Sequence, residues 1–151
     1  MSIDLIAHSI LWLLGFIFFY RFPLCRKKHI VNTARHALSI IIPARNEENN
    51  IPNLLKSLQS QIKDSDEIIV VDDHSNDNTA AAAVEEGAKV IKSKEMPWGW
   101  TGKTWACYQG AQSATNTLLI FLDADTTIEN GGLESISGCY SALQGVLSIQ
   151  P

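Results

Sequence analysis

Four short, largely apolar runs, each separated from the next by a stretch with helical spacing, constrain this chain more than any other feature. "LSIII" (38–42), "EIIVV" (67–71), "AKVIK" (88–92) and "TLLIFL" (117–122) are bounded by polar residues and too short for helices, so they read as buried strands. Between the first two, Ile51, Leu54, Leu55, Leu58 and Ile62 fall on one face of a helix. An alanine-rich helix is predicted from Thr79 and ends at Gly87, a third runs from Gly102 to Ser113, and a weaker one spans 132–143. "GVLSI" (145–149) reads as the start of a fifth strand. Strand–helix alternation of this kind predicts right-handed crossovers and an α/β fold with a mostly parallel sheet flanked by helices. At 151 residues and 46% hydrophobic content the chain can bury one core.

The polar clusters follow the strands in a regular way. "PARNEENN" follows the first, "DDHSNDNT" the second, "SKEMPWGWTGKT" the third and "DADTT" the fourth, which puts all of them at the carboxyl edge of one sheet. Open α/β sheets bind ligands along that edge. No G-x-G-x-x-G follows the first strand, and "GKT" (102–104) has Pro97 where a P-loop needs its earlier glycine, so dinucleotide and P-loop readings fail. In "FLDADTT" the carboxylates of Asp123 and Asp125 share one face if strand geometry persists that far, and they repel unless a cation, a proton or water lies between them. Oxygen ligands suit Mg²⁺ or Mn²⁺ rather than zinc. A net charge of −4 argues against non-specific nucleic-acid binding.

The N-terminal stretch from Ile3 to Phe22 is nearly continuous apolar sequence, interrupted mainly by Asp4, His8 and Arg21. Its length matches the roughly 20 residues that cross a bilayer core. Arg21, Arg26, Lys27 and Lys28 follow the run instead of preceding it, which opposes a cleavable signal. The charge order predicts a transmembrane anchor over 1–22 with its N-terminus outside, a basic juxtamembrane linker over 23–37, and a cytoplasmic remainder, making a single-pass protein of the cell membrane. Cys25, Cys107 and Cys139 lack metal-ligand spacing and are expected as reduced thiols.

Taken as a set and in order, "SIIIPARNEENNIPNLLKSL", "EIIVVDDHSNDNT", "GKTWACYQGA" and "LIFLDADT" resemble the signatures of the family 2 glycosyltransferases, over residues 38 to about 127. The resemblance implies the nucleotide-sugar-binding GT-A fold. It implies that Pro43, Ala44, Arg45 and Glu47 line the nucleotide pocket, that Asp72 or Asp73 contacts the uracil or its ribose, and that Asp123 and Asp125 form the family's Asp-x-Asp motif. There Asp125 would bind the metal directly and Asp123 would support the metal or the ribose. Lys103 reads either as a diphosphate contact near a helix N-terminus or as a solvated lysine. Trp98 and Trp100 would cover the sugar or the acceptor, while Trp105, inside a helix, suits the core. The implied reaction is metal-dependent, inverting transfer from a nucleotide-diphosphate sugar, a UDP-sugar, to a lipid-like or membrane-associated acceptor. Within the family, "PWGWTGKTWACYQGA" most resembles enzymes acting on lipidic acceptors, including bacterial carotenoid-acid glycosyltransferases.

The resemblance stops at "SIQP", so 38–151 reads as the donor-binding half of an incomplete domain. The general base expected of the family has no candidate here and would lie beyond residue 151. Other readings stay open: a receiver-like signalling domain, with Asp72, Asp73 and Asp123 as its acidic cluster; a sugar-phosphate nucleotidyltransferase; and a non-catalytic membrane-anchored fragment.

Overall fold

The computed structural model describes His8 and residues 11–14, 35–143 and 145–148. Eight elements follow one another: β1 (Leu38–Ala44), α1 (Ile51–Gln59), β2 (Glu67–Asp72), α2 (Thr79–Glu85), β3 (Lys89–Lys92), α3 (Gly102–Ser113), β4 (Leu118–Phe121) and α4 (Gly132–Leu143). The four strands form one sheet in the order β3-β2-β1-β4, and every pairing is parallel. Ile40 of β1 lies opposite Ile68 on one side and Ile120 on the other.

Alternation along β1 and β2 sorts the core into two layers. Ile40, Ile42 and Val70 face one cluster, which Leu54, Leu55 and Leu58 of α1, Ala83 of α2 and Leu133 of α4 complete. Ile41, Ile69 and Val71 face the other way, onto Ala106 of α3. Each such aliphatic side chain contributes about 1.5–3 kcal/mol on full burial. α3 lies close because Gly110 has no side chain: a Cβ there would stand 2.4 Å from Ile41 Cγ2.

The structure corrects several expectations. Among the described residues no helix is long and apolar enough to cross a membrane. In the stretch expected to be a transmembrane anchor only His8 and residues 11–14 are described, all helical. The single-pass membrane assignment, its topology and the anchor placed before the α/β fold are therefore not supported; the rest of 1–22, and 23–34 of the expected linker, lie outside the described residues. Arg35, counted in that linker, instead buries its side chain in an ion pair with Asp66, whose other oxygen accepts the Leu38 N–H at 2.9 Å. Ile62 falls beyond the end of α1 and is exposed. No strand forms over 145–148, and Val146 is fully exposed; residue 149 lies outside the described residues. Cys139, expected as a thiol, is disulfide-bonded, whereas Cys107 is free.

Candidate functional site

The carboxyl edge gathers the polar clusters as the strand alternation requires, and hydrogen bonds fasten the first two together. Asp73 donates its backbone N–H to the Ala44 carbonyl at 2.8 Å, which joins the ends of β1 and β2. Asn46 donates its N–H to Ser75 Oγ and accepts the Asn76 N–H on its side-chain oxygen. Glu47 donates its N–H to Thr79 Oγ1 at 2.7 Å, and Glu48 exchanges bonds with Asp77 and Asn78. Asn46 and His74 adopt positive φ, 57° and 59°, at the two bends. Asp77 accepts from both the hydroxyl and the N–H of Thr79, and these bonds hold its carboxyl below the usual aspartate range. The loop that sequence placed at the site therefore uses much of its "SNDNT" to tie the loops after β1 and β2 together. Ser, Asn, Asp and Thr before a helix are a turn and cap signal that fits this role as well.

The residues expected to line a nucleotide pocket take different places. Pro43 is half-buried and Ala44 buried at the end of β1, and Arg45 is exposed just beyond. Glu47 is half-buried; its carbonyl accepts the N–H groups of Asn50 and Ile51, and its carboxylate accepts Asn50 Nδ2 at 2.7 Å, so it also shapes the start of α1. Asp72 is buried and accepts the Ser75 N–H at 3.0 Å. Asp73 is half-buried, 3.2 Å from the His74 ring through one oxygen. Its other oxygen faces the start of α3, where a Cβ on Gly102 would come within 2.7 Å. Glycine is therefore what admits Asp73 to that helix N-terminus, where a carboxylate is favoured.

The second pair of loops meets one residue later. Lys103 Nζ lies 2.7 Å from Asp123 Oδ1, and both side chains are more than half exposed. This bond raises the lysine above its ordinary value, the Coulomb attraction of Asp123 and Asp125 adding to it. β4 ends at Phe121, so Asp123 and Asp125 do not share a strand face as expected. They belong to a turn in which the Asp123 carbonyl accepts the Thr126 N–H at 3.1 Å and its hydroxyl at 2.7 Å. Asp125 is exposed. Cys107 sits one helical turn from Lys103, where burial pushes its thiol up.

Beside this edge, Trp100, Trp105 and Tyr108 form a mutually touching cluster with ring centroids 5.1–5.5 Å apart. Trp105 donates its indole N–H to the Lys94 carbonyl at 3.0 Å, so it serves as a brace between α3 and the loop after β3. Trp98 is fully exposed and Trp100 is 40% exposed. Gln109 was not singled out from sequence: it is buried, accepts the Lys94 N–H at 2.8 Å and donates to Ser93 Oγ at 2.8 Å. Its spacing four residues after Trp105 was the available signal.

A divalent cation fits the donor set. Among the described residues no three His, Cys, Asp or Glu side chains come together where they could hold a metal ion, so the protein alone offers at most two carboxylates. Two exposed carboxylates on one turn are the protein share of the sites that Mg²⁺ and similar ions complete with substrate phosphates and water.

Residues 39–137 match the family described as "Glycosyl transferase family 2". The chain is 48% identical over 120 residues to a 4,4'-diaponeurosporenoate glycosyltransferase of Staphylococcus haemolyticus, covering 76% of this chain and 32% of that protein. It is 40% identical over 129 residues to the 4,4'-diaponeurosporenoate glycosyltransferase of Staphylococcus aureus, covering 83% and 34%. The chain thus spans about a third of the length of these curated relatives. Among solved structures it is similar to glucosyl-3-phosphoglycerate synthase from Mycobacterium tuberculosis in complex with Mn²⁺, UDP and glucosyl-3-phosphoglycerate. That likeness has a TM-score of 0.56 and 26% identity, over 64% of this chain and 36% of the other.

Proposed function

Because this chain belongs to glycosyl transferase family 2, we propose that it forms the donor-binding part of an enzyme that moves a sugar from a UDP-sugar to an apolar, lipid-like acceptor with inversion. The observation that carries the reading is the convergence of four polar loops on one sheet edge, with Lys103 and Asp123 in contact there. Similar proteins supply the substrate classes: a solved relative holds UDP and Mn²⁺, and the staphylococcal relatives are named for a diaponeurosporenoate acceptor.

In this reading the loops after β1 and β2 hold the nucleoside. Pro43, Ala44, Arg45 and Glu47 form one wall, and Asp72 or Asp73 accepts hydrogen bonds from the uracil or the ribose. Lys103 contacts the diphosphate. Asp125 would hold Mg²⁺ or Mn²⁺ directly and Asp123 would assist, and the bound ion would offset the negative charge that grows on the leaving diphosphate. The exposed faces of Trp98 and Trp100 offer an apolar surface to the acceptor. No residue of this chain is assigned as the base that deprotonates the acceptor.

Calorimetric titration of the chain with UDP, with and without Mn²⁺, tests this. Asp125→Asn keeps the shape and removes the charge, so the gain in UDP affinity on adding Mn²⁺ should fall at least tenfold while the thermal unfolding midpoint is retained. Asp72→Asn should weaken UDP binding with or without metal. Wild-type affinity for metal and UDP in Asp125→Asn would remove the Asp-x-Asp assignment.

A further inference from the structure

The Lys103–Asp123 contact places a cation where the proposed function places a metal ligand. Lys103 is the second residue of α3, and the first turn of that helix carries no acidic residue. A positive side chain there is opposed by the helix dipole, and a nearby anion offsets that opposition. Asp73 already faces the helix N-terminus at Gly102. Asp123 remains, 2.7 Å away.

We infer that Lys103 is a placeholder cation on Asp123 that a divalent metal must displace, so that metal and nucleoside diphosphate bind cooperatively. This deepens the proposed function and rests on it for the identity of the two ligands. An ammonium on one Asp123 oxygen and a divalent ion on the same carboxylate repel each other. A diphosphate offers the lysine a stronger anion, frees Asp123, and removes the obstacle to the metal. Exposure sets the scale. Both side chains are more than half in solvent, and exposed pairs are weak enough to exchange. The pair therefore tunes metal affinity without abolishing it, and by linkage the metal raises diphosphate affinity by the same factor.

Binding of Mn²⁺ to the full chain, read as free Mn²⁺ by electron paramagnetic resonance, tests the inference without any activity assay. Lys103→Gln, and Lys103→Met as a second exposed variant, should bind Mn²⁺ alone about two- to fivefold tighter than wild type, the range an exposed ion pair represents. The factor by which UDP strengthens Mn²⁺ binding should shrink in both. In an Asp123→Asn background, Lys103→Gln should leave Mn²⁺ affinity unchanged. Unchanged or weaker Mn²⁺ binding in the single lysine variants overturns the inference, as does a wild type that binds no Mn²⁺. Equal tightening in the Asp123→Asn background also overturns it, since the lysine would then act by general repulsion. A wild type that binds Mn²⁺ as described but takes no UDP removes the proposed function instead.

Discussion

At the scale of single residues, the side chains that fix the sheet and those that could meet a ligand sit at opposite edges. Glu67 opens β2 at the amino edge. Burial pushes its carboxyl up, but hydrogen bonds from Ser39 and from the N–H and hydroxyl of Thr115, with the charge of Lys89, outweigh burial and bring it from 4.5 down to about 2. A depressed carboxyl contributes stability that is complete above its unfolded value and is lost as pH falls through the folded one. Glu67→Gln should therefore be less stable than wild type at pH 7, by about 1.5–3 kcal/mol on the scale of hydrogen bonds to charged groups. The difference should close between about pH 5 and pH 2, and urea titrations across that range would measure it. At the carboxyl edge, Asp123 and Asp125 were legible because carboxylates ending an apolar run call for a compensating charge. That Asp123 already has one in Lys103 was not, since nothing local links residues 20 apart in sequence.

At the scale of elements, the four strands of the sheet and α3 were read to within two residues, since polar residues punctuate each run, whereas the fifth strand expected from residue 145 does not form over 145–148. β1 extends two residues past the predicted end, to Ala44, because pairing with Asp72 continues it. α1 ends at Gln59, and Ile62, though in register with its apolar face, falls in the turn that leads to β2. Periodicity could not tell which face of α3 packs, because its contact is made by Ala106, Gln109 and Gly110 rather than by large apolar side chains. Gly110 makes that packing a sharp test. Alanine has the higher intrinsic helix propensity by about 1 kcal/mol, yet its methyl would overlap Ile41 and press on Val71 at 3.1 Å. Overpacking of about 1–3 kcal/mol prevails. Gly110→Ala should lower the thermal midpoint, and an unchanged or raised midpoint would show that α3 can lift off the sheet at little cost.

At the scale of the whole molecule, β1 and β2 form the axis: each is paired along both sides, and both core layers are built on them. Their central amides should show the slowest hydrogen exchange, with those of β3 and β4, each paired on one side only, exchanging faster. Exchange followed by mass spectrometry would rank them, and equal protection across the four strands would contradict the axis. The expected transmembrane anchor shows the limit of reading at this scale. Apolar length and charge order suggested it, but among the described residues no helix reaches that length. The central position of β1 also sets a schedule for a ribosome. From Leu38 to Leu118, its partner across the β4 side, 80 residues must be made. At about 5–20 residues per second this leaves β1, with its three consecutive isoleucines, with one bare flank for several seconds. A nascent chain of this design gains from a chaperone in that interval, and slow codons placed just before β4 would lengthen the time during which two such chains can pair with each other.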